Sequence, residues 1–384
     1  MSHELEQSIN GSYNQLPFLV SAVAGLQSKP KIDLHRHLVG SIRPEVLVYI
    51  ANKIGTTIPI FGNDIERIKR SSVFMAPLEG GYKSFLSKRI WGTFKHIFSS
   101  PRGVANAMYW AISDASHDGV CYVEFRVSPY GITPDFPLTL SVFIDSLKEG
   151  IDAAARDYPG TLAKIILSVG RSTVFEKWDL FERGSYYDRL VTIASKYRDV
   201  IVGFDISGDE EKYPNKLFVE FAEKVKGANF KLTVHAGETG NVRSVWEAIE
   251  LLGADRIGHG IGAVKDPILV KKLAEQRLPL EICPTSNWFL GCVPSLEVHP
   301  IREFMDQGVL VTVNTDDPVM FGNTTLSEEL HHLINAKCIN EGDVESLQIT
   351  AIETSFASNS EKANLLSQIQ KVFSATHSFA TAMS

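Results

Sequence analysis

Two histidines separated by a single residue, His35 and His37, end a short apolar segment near the start of this 384-residue sequence. Side chains at positions i and i+2 of a β-strand point to the same face, so both imidazoles project in one direction if the segment is a strand. A single histidine in a strand is usually a hydrogen-bonded core residue. Two at this spacing, on an otherwise apolar strand, instead favour metal ligation.

Other polar side chains follow apolar segments further along the chain. They are His235 and Glu238 in one segment and its loop, His259 between two glycines, and the adjacent pair Asp316 and Asp317. Taken singly, each has an ordinary structural explanation as a hydrogen-bonded core histidine, a helix N-cap or a loop carboxylate. Their shared position, at or just after the end of an apolar segment, is what indicates a common site.

The segments that must position these side chains are short, apolar and rich in β-branched residues. There are eight: Lys31–His35, Val120–Val127, Lys164–Gly170, Val200–Ile206, Lys231–His235, Arg256–Gly260, Leu278–Cys283 and Val309–Thr315. Their near-continuous apolar character is typical of strands covered on both faces of a parallel sheet. Segments with helical spacing separate most of them, such as Arg43–Ile54, which has Pro44 at its start and Gly55 just past its end.

Strands that alternate with helices predict an α/β fold, and eight of them predict a closed (β/α)8 TIM barrel. In such a barrel the carboxyl ends of the strands surround one mouth, where active sites lie. The polar side chains fall at the ends of the first, fifth, sixth and eighth strands, so distant positions become neighbours.

We interpret residues 1–384 as a single domain of this kind. Residues 1–29 are expected to form a flanking segment and residues 340–384 C-terminal helices and a tail. Residues 52–119 are expected to form a helical insertion after the first strand, with aromatic residues that indicate helices covering the barrel, although a lid over the mouth is the alternative. Those aromatic residues are Trp91, Phe94, Phe98 and Trp110.

Composition and charge limit the partners and the cellular location expected for this protein. The formal charge is −7, with 38 Lys and Arg against 45 Asp and Glu, and basic runs are lacking, so we expect no nucleic-acid partner. The acidic first residues do not resemble a secretory signal, and apolar stretches are too short for a membrane span. Four cysteines without a C-x-x-C pair are expected to be reduced thiols, mostly buried, in a cytoplasmic protein. The oligomeric state stays open.

Three imidazoles and one carboxylate, from His35, His37, His235 and Asp316, form a donor set suited to zinc, with cobalt, iron or manganese as alternatives. A metal with one open position lowers the pKa of a bound water to about 7, which provides a nucleophile at neutral pH. His259 and Glu238 are then available to carry protons. From the residues alone, metal-assisted hydrolysis is the expected reaction, and the substrate stays open.

An ordered set of motifs resembles the adenosine/adenine deaminase family of metal-dependent amidohydrolases. The set comprises His35-x-His37-Leu38-x-Gly40, Ser207-Gly208-Asp209-Glu210, His235-Ala236-Gly237-Glu238, Gly258-His259-Gly260, Pro284-x-Ser286-Asn287 and Asn314-Thr315-Asp316-Asp317-Pro318. Each motif is weak alone, but the set spans residue 31 to about residue 365. The resemblance implies that water replaces the exocyclic amino group of a 6-aminopurine and ammonia leaves.

Position by position, the resemblance implies one zinc ion held by His35, His37, His235 and Asp316. It implies that Glu238 protonates the ring nitrogen N1, and that His259 and Asp316 orient and deprotonate the attacking water. It further implies that the backbone N–H of Gly208 donates to N3 and that Asp317 bonds at N7. Gly208 suits this role because a residue without Cβ lets a backbone N–H approach a flat ring.

Position 39 departs from the family pattern. Nucleoside-using members usually carry Asp there, against the sugar 5′ hydroxyl, and relatives acting on free adenine or modified nucleosides often carry Glu; this chain has Val39. A buried hydroxyl without a partner costs about 1–3 kcal/mol. We therefore expect a substrate without a free 5′ hydroxyl, such as a 5′-substituted adenosine or free adenine, unless another group or water serves the hydroxyl.

Two other functions compete with purine deamination. The same metal site could hydrolyse a different amide or ester, a phosphoester, or an N6-substituted purine. A purine-binding or structural protein on an inherited barrel is the non-enzymatic alternative, and it predicts a broken catalytic set. Every expected metal ligand and both proton-handling residues are present, which favours an enzyme.

Overall fold

The computed structural model describes residues 21–87, 96–129 and 138–382, and its centre is a barrel of eight parallel strands. Each strand pairs with its neighbours in chain order, which confirms the predicted TIM barrel. The strands are β1 Lys31–His37, β2 Val120–Val127, β3 Leu162–Gly170, β4 Ile201–Ser207, β5 Lys231–Ala236, β6 Arg256–His259, β7 Leu280–Ile282 and β8 Val311–Val313.

The barrel closes between β1 and the residues that follow β8. A parallel bridge joins Arg36 to Asp316; the N–H of His37 donates to the carbonyl of Asp316 (2.7 Å), and the N–H of Asp316 donates to the carbonyl of His35 (2.8 Å). The register of β1 against β2 shifts between Asp33 and Arg36. Irregular pairing of this kind re-aims side chains next to active sites, and here it lies beside the two β1 histidines.

The eighth strand is shorter than the predicted Val309–Thr315, and just past its carboxyl end a side chain joins the backbone ladder. Asn314 accepts from the N–H of Leu34 (2.9 Å) and donates to the carbonyl of Ile282 (3.2 Å). One amide thereby joins the first and seventh strands across the end of the eighth. Its hydrogen bonds satisfy backbone groups that would otherwise be buried without partners.

Helices surround the barrel, and their ends follow capping chemistry. Asp266, for example, accepts from the N–H groups of Ile268 and Leu269 just before a helix with proline at its first position. The helices are α1 Ser21–Gln27, α2 Pro44–Lys53, α3 Ile65–Ser72, α4 Gly81–Ser87, α5 Pro101–His117, α6 Leu140–Asp157, α7 Arg171–Lys177, α8 Leu180–Ala194, α9 Val219–Gly227, α10 Val242–Glu250, α11 Pro267–Glu275, α12 Pro284–Phe289, α13 Ile301–Asp306, α14 Leu326–Asn335, α15 Glu341–Thr354 and α16 Asn359–Ala382.

Helices α2 to α5 lie between the first two strands, within or next to the segment expected to be an insertion. Phe98 and Trp110 of this segment are buried in the hydrophobic core, as covering helices require. Trp91 and Phe94 lie outside the described residues, as do residues 1–20 of the flanking segment. Residues 341–354 and 359–382 are helical.

A network of buried charges fills the barrel below its mouth. Arg126 on β2 pairs with Glu281 on β7, and Arg256 on β6 pairs with both Glu281 (2.6 Å) and Glu124 (2.5 Å). All four side chains are at most 1% exposed. Buried ions are tolerated only when they are paired and hydrogen-bonded, so these strands depend on one another for charge compensation.

The four cysteines are free thiols, three of them buried and Cys292 half-buried, in agreement with the prediction. Among the described residues, helices long and apolar enough to cross a membrane are absent.

Candidate active site

Three imidazoles and a carboxylate converge at the carboxyl end of the barrel. The Nε2 atom of His235 lies 3.1 Å from that of His35 and 3.2 Å from that of His37. Asp316 Oδ1 lies 3.4 Å from the Nε2 atoms of both β1 histidines. The structure thus brings together the four side chains that the sequence singled out, with ligand atoms within 4.8 Å of one another.

The hydrogen bonds behind two of these imidazoles show which atoms face the centre. Nδ1 of His35 contacts Glu281 and Nδ1 of His235 contacts Asp205, each at 2.9 Å. An ionised carboxylate only accepts, so each Nδ1 donates. In a neutral imidazole the opposite nitrogen, Nε2, then carries a lone pair directed at the centre, as a metal-ligating histidine requires.

The charge states of the supporting carboxylates agree with this reading. Burial opposes ionisation, but Arg126, Arg256 and the hydrogen bond from His35 outweigh it and hold the pKa of Glu281 well below its usual range. Burial likewise opposes ionisation of Asp205, and His235 and Arg126 lower its pKa nonetheless. Both carboxylates therefore stay charged while buried.

Burial keeps two of the three imidazoles at the centre neutral. Burial lowers the pKa of His235, and it lowers that of His37 to about 3. Burial and Arg126 oppose protonation of His35, but hydrogen bonds with Asp316 and Glu281 raise its pKa. Imidazole nitrogens and a carboxylate oxygen this close together favour a positive charge between them, whether a proton or a metal ion, and the nitrogen and oxygen donors fit a borderline divalent metal.

Sequence reasoning missed the two carboxylates that support the ligands. Asp205 and Glu281 lie within the predicted strands Val200–Ile206 and Leu278–Cys283. A carboxylate inside an otherwise apolar strand is costly to bury unless it has a partner, and this was the signal available. Only the folded barrel identifies those partners as His235 and His35.

His259 and Glu238 lie beside the four candidate metal ligands. His259 Nε2 is 3.6 Å from Glu238 Oε1 and 3.9 Å from Asp316 Oδ2, and it has no hydrogen-bond partner among the described residues. Burial lowers the pKa of His259 well below its usual range. Burial and the charge of Asp316 raise the pKa of Glu238 well above its usual range, which keeps a proton available for donation. Tyr82, from the segment between β1 and β2, hydrogen-bonds to Glu238.

The backbone is strained at two of these positions. His259 and Asp316 both have φ of 60°, the left-handed region that non-glycine residues seldom adopt. Such strain costs about 1–3 kcal/mol per residue and clusters at functional sites. Here His259 ends β6 and Asp316 follows β8, and both lie at the candidate site.

Asp317 follows Asp316 in the loop after β8 and is buried. Burial, followed by the charge of Asp316, raises its pKa well above the usual range, and its Oδ1 has no hydrogen-bond partner among the described residues. Gly40 makes room for it, because a Cβ at position 40 would lie 1.9 Å from Asp317 Oδ1. Asp317 is thus a buried carboxyl group whose raised pKa favours the protonated form.

The two remaining predicted substrate-binding residues also follow strand ends. Gly208 comes directly after β4 with φ of 100°, a conformation that favours glycine. Val39 begins a short 3₁₀ turn, Val39–Ser41, after β1 and packs partly buried against the core. Its side chain offers neither a donor nor an acceptor.

A barrel of this type with three imidazoles and an aspartate at its mouth defines a metal-dependent hydrolase. Known proteins similar to this chain identify the family of hydrolases to which it belongs. The adenosine deaminase family model matches residues 30–372. Adenosine deaminase from Vibrio parahaemolyticus is 34% identical over 341 residues, which covers 89% of this chain and 97% of the relative.

Two solved structures share the fold at lower identity. Adenine deaminase from Arthrobacter aurescens has a TM-score of 0.78 at 23% identity, over 90% of this chain and 99% of that one. An amidohydrolase from Burkholderia ambifaria with bound zinc has a TM-score of 0.77 at 23% identity, over 96% of this chain and 97% of that one. The chain belongs to the adenosine deaminase family, as its motifs predicted, and is a metal-dependent hydrolytic deaminase whose reaction is purine deamination.

Proposed function

We propose that this enzyme uses one zinc ion to replace the exocyclic amino group of a 6-aminopurine by oxygen, releasing ammonia. The observation that carries the proposal is the convergence of His35, His37, His235 and Asp316 on one point, with Glu238 3.6 Å from the neighbouring His259. The bound zinc in the Burkholderia ambifaria amidohydrolase and the activity named for the Vibrio parahaemolyticus relative support it.

The zinc would supply Lewis acidity that makes water a nucleophile at neutral pH. Glu238 donates its proton to N1 of the purine, which draws electrons away from C6 as water attacks there. His259 and Asp316 between them orient the water and accept its proton. The proton taken from the water passes to the amino group, the C6–N bond breaks and ammonia leaves. The new C6 hydroxyl gives up its proton, which restores protonated Glu238, so one water is consumed for each ammonia released.

The purine itself is held by groups on other strand ends. The backbone N–H of Gly208 donates to N3, and the protonated carboxyl group of Asp317 donates to N7. The raised pKa of Asp317 supports this role, because only the protonated form can donate to a ring nitrogen that has no hydrogen. Buried polar groups that pair with the correct base discriminate strongly against bases lacking the matching atoms.

The substrate we propose lacks a free 5′ hydroxyl: a 5′-substituted adenosine, or free adenine without the ribose. The argument rests on Val39, which cannot accept a hydrogen bond and lies directly after the segment that carries His35 and His37. The test is a metal analysis of purified protein, followed by measurement of ammonia release from adenine, adenosine, 5′-substituted adenosines and N6-substituted purines. Turnover of plain adenosine far above the 5′-deoxy-5′-thio analogues and adenine would contradict this substrate.

Introducing an acceptor at position 39 should shift the selectivity. We expect Val39→Asp to raise kcat/KM for adenosine relative to a 5′-thio analogue by about tenfold or more, since a satisfied hydroxyl is favoured by about 1–3 kcal/mol. Val39→Leu, which changes the shape without adding an acceptor, is the matched control. An equal gain in both variants would show that the hydrogen bond is not the cause.

Removing the metal should abolish turnover without unfolding the barrel. We expect dialysis against a chelator to remove the ion and the activity together, and stoichiometric zinc to restore both. The circular dichroism spectrum should stay unchanged, because the buried pairs of Arg126 and Arg256 do not involve the metal. Metal content and ammonia release measured on the same samples check this, and full activity in metal-free protein would refute a metal-dependent step.

A further inference from the structure

A chain of three buried hydrogen bonds leads away from the reaction centre and ends on a backbone amide. Nδ1 of His259 lies 3.1 Å from Nδ2 of Asn287, on α12. Oδ1 of Asn287 lies 3.2 Å from Nε2 of His299, and Nδ1 of His299 accepts from the backbone N–H of Ile301 at 3.2 Å. Asn287 is fully buried and His299 is 4% exposed.

The backbone end of this chain sets the direction of every bond in it. A backbone N–H can only donate, so Nδ1 of His299 must be unprotonated. Burial lowers the pKa of His299 to about 3, so the ring is neutral and its hydrogen is on Nε2. That N–H donates to the Asn287 oxygen, which leaves the Asn287 NH₂ group to donate to Nδ1 of His259. His259 then carries its own hydrogen on Nε2.

We propose that His299 is a positioning residue that acts through Asn287 to hold His259 in the Nε2–H tautomer. The catalytic role of His259 rests on the proposed function, whereas the hydrogen-bond geometry that fixes its tautomer does not. It divides a task that the family resemblance assigned jointly. His259 orients the attacking water by donating a hydrogen bond to its oxygen, and Asp316 alone accepts the proton.

The surroundings of His259 agree with a donor at this position. The Asp316 carboxylate, an acceptor, has its Oδ2 atom 3.9 Å from Nε2 of His259, Glu238 Oε1 lies 3.6 Å away, and Nε2 has no hydrogen-bond partner among the described residues. An Nε2–H there points into the space beside the metal ligands. A water oxygen in that space accepts from His259 while its own hydrogen points to Asp316.

The direct test is NMR spectroscopy of protein labelled with ¹⁵N-histidine, with and without added zinc. Long-range ¹H–¹⁵N correlations report which ring nitrogen carries the hydrogen, and the His259 and His299 signals are assigned from single variants. We expect both rings to be Nε2–H tautomers. An Nδ1–H tautomer at His259 in wild-type protein overturns the proposal, whatever the enzyme turns over.

Three variants test this chain of hydrogen bonds through turnover. Asn287→Asp replaces the donor facing His259 with an acceptor, so the Nδ1–H tautomer should be favoured and kcat should fall about 100-fold with KM little changed. His299→Leu should leave Asn287 free to rotate, giving a mixture of tautomers and a smaller fall. His299→Gln, which can still donate to Asn287, should recover most of that loss.

These outcomes separate the inference from the proposed function. The tautomers are measured without substrate, so they stand even if the enzyme acts on another compound. If Asn287→Asp unfolds the protein, the wild-type spectrum and the two His299 variants still decide. Equal kcat values and the same His259 tautomer in His299→Leu and wild type would overturn the positioning role.

Discussion

Glu238→Gln is expected to lower kcat by about 10²–10⁴-fold, the range that a positioned general acid contributes. Glutamine keeps the size and polarity of the side chain but has no ionisable proton to give to N1. Burial and the charge of Asp316 keep Glu238 protonated, so the wild-type residue starts in the form that donates. Because Glu238 is outside the metal-ligand set, the variant should bind the metal normally.

The measurement is single-turnover kinetics together with metal analysis of the same preparation. Glu211→Gln is the matched control, since Glu211 is an exposed glutamate in the loop after β4 and hydrogen-bonds to Thr239 rather than to the site. We expect the control to keep normal turnover. Full activity in Glu238→Gln would remove this residue from the mechanism.

Glu281→Gln is expected to destabilise the protein by about 3–5 kcal/mol, the usual cost of breaking a buried ion pair from one side. Glu281 is fully buried and accepts from Arg126, Arg256 and His35. Glutamine has nearly the same shape but no charge, so it leaves two buried guanidinium groups short of compensation. Its NH₂ group also cannot accept the hydrogen that His35 donates through Nδ1.

The same variant should weaken metal binding, because a carboxylate behind a ligating histidine is worth about 10–100-fold in metal affinity. Urea denaturation of the metal-free protein isolates the stability effect, and competition with a chelator measures the affinity. Glu275→Gln, an exposed position on α11, should change the free energy of unfolding by less than about 0.5 kcal/mol. A Glu281 variant as stable as wild type would show that this network does not hold the barrel together.

The two variants separate the two kinds of buried carboxylate in this molecule. Burial and the charges of Asp316 and Glu210 raise the pKa of Glu238, which favours its protonated form. Glu281 lies between two arginines, so its pKa falls and it stays charged. The first is expected to affect turnover with little effect on the metal, and the second to affect stability and metal affinity together.

Much of the fold could be predicted because it depends on local periodicity. Near-continuous apolar segments identified all eight strands, and their alternation with helical segments predicted the barrel. The spacing of His35 and His37 indicated one common face, and both Nε2 atoms do face His235 in the structure. The ends of short strands were less predictable: β8 is shorter than the predicted Val309–Thr315, and the side chain of Asn314 joins the ladder just past its carboxyl end.

Taken alone, the sequence determined the barrel, the kinds of side chain at its mouth and the family. Alternation and spacing set which way a side chain points within its own strand or helix, and that information is local. Tertiary structure alone decided which buried groups meet: Asp205 with His235, Glu281 with His35, and the backbone N–H of Ile301 with the ring of His299. Those partners are far apart along the chain or depend on ring orientation, so they become definite only when the barrel closes and each buried donor must find an acceptor.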